Sequence, residues 1–181
     1  AEQPTPARHI TLRAKMEKDA FDINTTRCAQ NGWRALDFAL GDKGEPIDED
    51  AVKLVLDAPG LNIHVTTTNG ATVLAVQCSW GRSRNVELLL ADGRIDPNQC
   101  DEKGYTPLWI AANQGRDRCV ELLLADPRVD PNLCDRQGST PLNTAANQGK
   151  NACVKLLSAD RRVDVNRADE GGQTPLISAC M

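Results

Sequence analysis

Threonine returns at a fixed interval along most of this chain. Thr72, Thr106, Thr140 and Thr174 are each separated by 34 residues, and every one follows a glycine by two positions. Two further blocks keep the same register. One is Val86-Glu87-Leu88-Leu89-Leu90, Val120-Glu121-Leu122-Leu123-Leu124 and Val154-Lys155-Leu156-Leu157; the other is Asp96-Pro97-Asn98, Asp130-Pro131-Asn132 and Asp164-Val165-Asn166. A period of this length is the mark of stacked structural repeats, each contacting only its neighbours.

Each unit reads as two short helices. A threonine directly before Pro107, Pro141 or Pro175 is a helix start: its hydroxyl caps free backbone amides, and proline suits the first helical position. Leu108, Ala111 and Ala112 give that helix a small-residue face that neighbours can approach closely. Gly115 ends it. A second helix, from about Arg116 to Ala125, turns Val120, Leu123 and Leu124 inward, and the stretch from Asp130 to Gly138 forms an extended turn into the next unit. A helix pair of this size cannot bury its apolar face alone, so the units must stack.

The pattern Gly-x-Thr-Pro-Leu-x-x-Ala-Ala-x-x-Gly, then Val-x-Leu-Leu-Leu, then Asp-x-Asn, resembles the ankyrin repeat. The resemblance implies an all-α ankyrin-repeat solenoid of helix-turn-helix units joined by short β-hairpin loops. The expected division is a single domain over 1–181, comprising an N-terminal half repeat at 9–27 and a repeat with an insertion at 28–66. Repeats follow at 67–100, 101–134 and 135–168, with a truncated one at 169–181. In the family the fourth position of the Thr-Pro-Leu block is commonly His. Here it is Asp37, Ala75, Trp109, Asn143 and Ile177, so a hydrogen bond made by that histidine is expected to be lost.

Composition narrows the chemistry. There are 21 Lys and Arg against 25 Asp and Glu, a net charge of -4. Nucleic-acid binding normally leaves a basic footprint, so none is expected. No apolar run reaches the roughly 18 residues of a membrane span, so no membrane partner is expected either. The seven cysteines are odd in number and contain no Cys-x-x-Cys. They recur in register (Cys100 with Cys134, Cys119 with Cys153, Cys78 and Cys180 in one alanine slot), as buried small hydrophobes would. This favours a reduced, cytoplasmic protein. His9 and His64 lie far apart, no catalytic or phosphate-loop motif is present, and neither a metal site nor a cofactor is expected. The Asp92/Arg94, Asp126/Arg128 and Asp160/Arg162 columns read as local ion pairs on a solvated face. Arg82, Arg116 and Lys150 form a second column that could instead recognise an acidic segment.

Only six residues are aromatic, and four of them fall on one predicted surface. In ankyrin-like arrays the partner usually meets the hairpin tips and the exposed side of the first helix. Mapped onto this chain, that surface consists of Trp33, Asn69, Ser79, Trp80, Glu102, Lys103, Tyr105, Trp109, Asn113, Gln114, Arg136, Gln137, Asn147 and Gln148. Exposed aromatics near an interface centre are the usual carriers of binding energy. The expected function is non-catalytic protein–protein recognition by a monomer through this concave groove. The alternative is a regulatory or targeting domain of a larger enzyme, channel or secreted effector whose activity lies elsewhere. The terminal unit stops near its first helix, which keeps that alternative open.

Overall fold

The computed structural model describes residues 69–180 without a break, together with residues 52, 53, 56–58, 63, 64, 66 and 67. Two compact units are present, Ala1–Ile63 and His64–Met181. In the first, Val52, Leu56, Ala58 and Ile63 are buried, and the Asp57 N–H donates to the Lys53 carbonyl at 2.8 Å, as in one helical turn. The expected half repeat at 9–27, most of the repeat at 28–66 and Trp33 lie outside the described residues.

The second unit contains seven described helices. They are α1 (Val73–Trp80), α2 (Ser83–Ala91), α3 (Pro107–Gln114), α4 (Asp117–Ala125), α5 (Pro141–Asn147), α6 (Asn151–Ala159) and α7 (Pro175–Ala179). First helices stack on first helices (α1, α3, α5, α7) and second helices on second helices (α2, α4, α6).

Local chemistry sets the helix boundaries. The hydroxyls of Thr72, Thr106, Thr140 and Thr174 accept from the amides of Ala75, Trp109, Asn143 and Ile177. Each satisfies a donor that the helix itself leaves open. At the far end Gly81 and Gly115 adopt φ of 75° and 67°, a left-handed conformation that costs glycine nothing. The core is aliphatic. Leu74, Leu89, Leu108, Leu123, Leu157, Val86 and Val120 are almost wholly excluded from water. Where the later repeats place Ala111 with Cys119 and Ala145 with Cys153, the first substitutes Gln77 and Asn85, both buried and joined by a 2.9 Å hydrogen bond. The bond joins the Asn85 amide N–H to the Gln77 side-chain oxygen, so that buried acceptor is met from within the repeat.

The connecting hairpins are reduced to single backbone pairs, such as Asp101 N–H to Tyr105 carbonyl at 3.2 Å and Asp135 N–H to Ser139 carbonyl at 3.1 Å. Side chains shape the rest. One Oδ1 of Asp101 accepts from the amides of Lys103 and Tyr105, and Asp135 and Asp169 repeat the arrangement. Successive tips are chained by backbone bonds from Glu102 to Asn69, Arg136 to Lys103 and Glu170 to Gln137.

The acidic–basic columns do more than the sequence reading assigned to them. Asp126 holds Arg128 at 2.6 Å, and the same guanidinium donates back to the carbonyls of Leu90 and Ile95 in the preceding repeat. Arg162, held by Asp160, reaches Leu124 and Val129 in the same way. Asn98 and Asn132 complete the joint. Each amide donates to an arginine carbonyl one repeat on (Arg128, Arg162) and accepts an aspartate N–H (Asp130, Asp164). These columns are clamps between repeats, because a planar guanidinium can serve a carboxylate and two carbonyls together.

The cysteines divide by burial. Cys78, Cys119 and Cys153 are core residues, whereas Cys100 and Cys180 are exposed and Cys134 is half-buried. The packing expected for every cysteine column therefore fails for Cys100 and Cys180, which sit in a loop and at the last helix end. Burial pushes the Cys78 thiol up. Burial, helped by a hydrogen bond to Asp117, takes Cys153 to about 12. Both are neutral thiols at physiological pH, without nucleophilic character.

Two predictions follow from this framework. Arg128→Ala is expected to lower stability by about 1–2 kcal/mol in urea unfolding, with little rescue by Arg128→Lys. The hydrogen bond from Arg128 holds the Asp126 carboxyl below its ordinary value of 3.8. Its contribution is thus present above that pH and lost as pH falls through the lower folded value, so the gap between parent and variant should narrow in acid without closing, because the bonds to Leu90 and Ile95 do not titrate. Gly104 has φ of 84°, and a Cβ there would lie 3.0 Å from the Asp135 Cα, whereas one at Gly93 meets nothing within 4 Å. Gly104→Ala should cost about 1–3 kcal/mol and Gly93→Ala should be neutral or slightly stabilising, measured the same way.

Candidate binding groove

The hairpin tips and first helices of two successive repeats enclose an open concavity of about 340 Å³. Eight of the residues singled out from sequence meet there. Asn69, Ser79 and Trp80 come from one repeat, and Lys103, Tyr105, Trp109, Asn113 and Gln114 from the next. Helical spacing explains the convergence: Ala75 and Ser79, Val76 and Trp80, and Trp109 and Asn113 are each four residues apart and share a face. Thr67, Ala75, Val76, Asp101 and Ile110 also line it and were missed. Val76 precedes Trp80 by four positions and Ile110 precedes Gln114 by four, a signal that was present in the sequence.

The other expected residues that the structure describes do not line this concavity. Glu102, Arg136 and Gln137 are exposed at the hairpin tips, and Asn147 and Gln148 are exposed at the end of α5.

The aromatics do not behave alike. Trp109 was expected to be an exposed anchor, but only 8% of it is accessible. Its ring stacks on Tyr105 with centroids 3.9 Å apart and planes 9° from parallel. Its indole N–H donates to the Ser139 carbonyl at 3.1 Å. The next repeat's hairpin lies against this helix position, so a large side chain is covered there. Trp109 is a floor and a joint rather than a free contact.

The same bond corrects a second expectation, that replacing the family histidine loses its hydrogen bond. Trp109 reaches Ser139, and Asn143 in the equivalent slot donates to the Gln173 carbonyl at 3.1 Å. Indole and carboxamide N–H groups both reach the following hairpin.

Tyr105 and Trp80 remain half-buried, each with one side toward the concavity. The Lys103 ammonium lies 5.9 Å from the Tyr105 ring centre and the Arg82 guanidinium 5.3 Å from that of Trp80. Around this floor, amides and hydroxyls of Asn69, Ser79, Asn113 and Gln114 form a polar rim. An apolar floor with a few polar groups is suited to seating a side chain of another molecule. Among the described residues no group of three His, Cys, Asp or Glu side chains is placed to hold a metal ion. No described helix is long and apolar enough to cross a membrane.

Two family models match the chain. One, for ankyrin repeats in many copies, covers residues 88–145, and the other, for ankyrin repeats in three copies, covers 125–181. No curated protein matches it.

If Trp109 is a joint, its loss will show in folding. Trp109→Ala should cost about 3–5 kcal/mol. Trp109→Phe keeps the stack but removes one of the two bonds to the Ser139 carbonyl, which still accepts from the Asp135 N–H, and should cost about 1 kcal/mol. Tyr105→Phe should change thermal unfolding little. Equal melting of parent and Trp109→Ala would mean that the ring is not a joint.

Proposed function

Because the chain belongs to the ankyrin repeat family, we propose that it is a non-catalytic recognition module that binds another protein through the concavity at Trp80 and Tyr105. Ankyrin repeats are generally protein–protein interaction modules. The observation that carries the reading is the half-buried aromatic pair set over a rigid floor and ringed by hydrogen-bonding side chains. Rigid aromatics of this kind lose little entropy on binding and so contribute most where they stay partly open.

The compartment we assign is the reducing cytoplasm, supported by the odd cysteine count and by thiols packed as core residues. The net charge of -4 supports a protein rather than a nucleic-acid partner. The chain acts as a monomer in this reading. A dimer mass in light scattering would overturn that assignment, and exposed Leu176 and Ile177, 76% and 48% accessible, are the apolar side chains to substitute next.

The structure directs the choice of variants. Trp109 must be left intact, since its removal would damage the fold. A photo-crosslinking residue at the exposed rim position Gln114 should capture a discrete partner in cell lysate, and the same residue at Lys155 on α6 should not. Capture should be lost in a Trp80→Ala/Tyr105→Ala variant that melts like the parent. Equal capture from both positions, or capture unaffected by the double variant, would count against the groove.

A further inference from the structure

We propose that the segment seated in this concavity is acidic: an extended stretch of the partner with one large apolar side chain over the Tyr105–Trp109 floor and a carboxylate on either side. The proposal rests on the groove reading above and adds the chemistry of what fills it.

Charge placement carries the argument. On the loop edge, Asp92, Asp126 and Asp160 are matched by Arg94, Arg128 and Arg162, and on the second helices Arg84 and Arg118 are matched by Glu87 and Glu121. Those charges cancel in place. At the concavity, Lys103 and Arg116 form no ion pair with a described carboxylate. Lys103 stands on the hairpin side, exposed over the Tyr105 ring. Arg116, just past the end of α3, does not line the concavity itself but borders it through Ser79, a lining residue whose carbonyl accepts from its Nε at 3.1 Å. Lys150 continues this edge one repeat on, its side chain lying against Gly115 as that of Arg116 lies against Gly81.

The acid that lines the concavity, Asp101, keeps its charge but is fixed in the hairpin by one of its oxygens. One oxygen of Asp101 holds the amides of Lys103 and Tyr105 at 2.8 and 2.9 Å. A ligand therefore meets Lys103 in the concavity and Arg116 beyond Ser79, with an aromatic and aliphatic floor of Tyr105, Trp109, Val76 and Ile110. A basic segment would face Lys103 and Arg116 with like charge, and a wholly apolar one would leave both without a partner.

The test uses three fluorescein-labelled peptides and the whole chain, read by anisotropy at low and physiological salt. The first carries a central Leu-Phe pair flanked by glutamates, the second the same pair flanked by lysines, and the third glutamates alone. The glutamate-flanked Leu-Phe peptide should bind best and weaken as salt rises, because these charges sit at an exposed rim. Lys103→Glu and Arg116→Gln should each weaken it by about three- to tenfold, and Lys155→Glu, on a different face, should leave it unchanged. Each variant is first shown to melt like the parent, and Lys103→Glu, which alters an exposed side chain, guards against loss of fold at Arg116. Equal binding of the lysine-flanked peptide, abolished by Tyr105→Ala, would overturn the acidic assignment while leaving the groove in place. Binding of no peptide would also overturn it, and the groove would then be judged by the crosslinking at Gln114 alone.

Discussion

A helix of seven to nine residues has too few internal hydrogen bonds to offset the cost of nucleation in water. Every helix described in this chain is that short or shorter, so none can persist without the surfaces on either side of it. Apolar stacking supplies most of the needed stabilisation, through the columns Leu74/Leu108/Leu142 and Leu89/Leu123/Leu157. Stacking alone is non-directional and would let one unit slide on another. The register is fixed by polar joints, in which Arg128 and Arg162 reach carbonyls of the preceding repeat and Asn98 and Asn132 reach the following one. The hairpin tips add a third line of backbone bonds. Three parallel lines of attachment make the concave side rigid enough to present a shaped surface.

What could be read from sequence was local or periodic. Thr106 before Pro107 announces a helix start because the hydroxyl, the amide it accepts and the proline φ all lie within one turn. Gly115 announces the end for a similar reason. Both statements need no knowledge of the neighbouring repeat. The arginine columns were visible as a pattern but not as clamps, since the acceptors for Arg128 are backbone carbonyls 33 and 38 residues away. Carbonyls carry no sequence signature. Trp109 was misread for a related reason. Its helical spacing correctly pointed it toward the concave side, but its burial depends on the Ser139 loop of the next repeat closing over that position. Helix periodicity gives a direction and leaves the depth of the neighbour undetermined. Asp101, Asp135 and Asp169 were legible and overlooked: an aspartate three residues before the tip glycine recurs at the full period.

The departures from periodicity are more telling about function than the pattern itself. Positions that keep the period, such as the capping threonines and the inward leucines, are committed to building the stack. The slot of Tyr105 is Ala71, Ser139 and Gln173 in the other repeats, and the slot of Trp80 is Gln114 and Gln148. None of those alternatives is large and apolar enough to anchor a partner side chain, although each is compatible with the same backbone. The fold therefore does not require aromatics at these positions. Two of them coincide at one junction between repeats, where small Ala71 and Ala75 leave room for a concavity.

In the proposed groove, position 109 would couple structure to recognition. A histidine-sized polar group would suffice for the joint, as Asn143 demonstrates in the next repeat with its bond to Gln173. The tryptophan makes the equivalent bond to Ser139 and also offers Tyr105 a flat surface at 3.9 Å. Stacking of this kind restricts the Tyr105 ring before any ligand arrives, so less side-chain entropy remains to be lost on binding. In the proposed groove the buried tryptophan would thus serve recognition without being freely exposed, by holding the half-buried tyrosine in place.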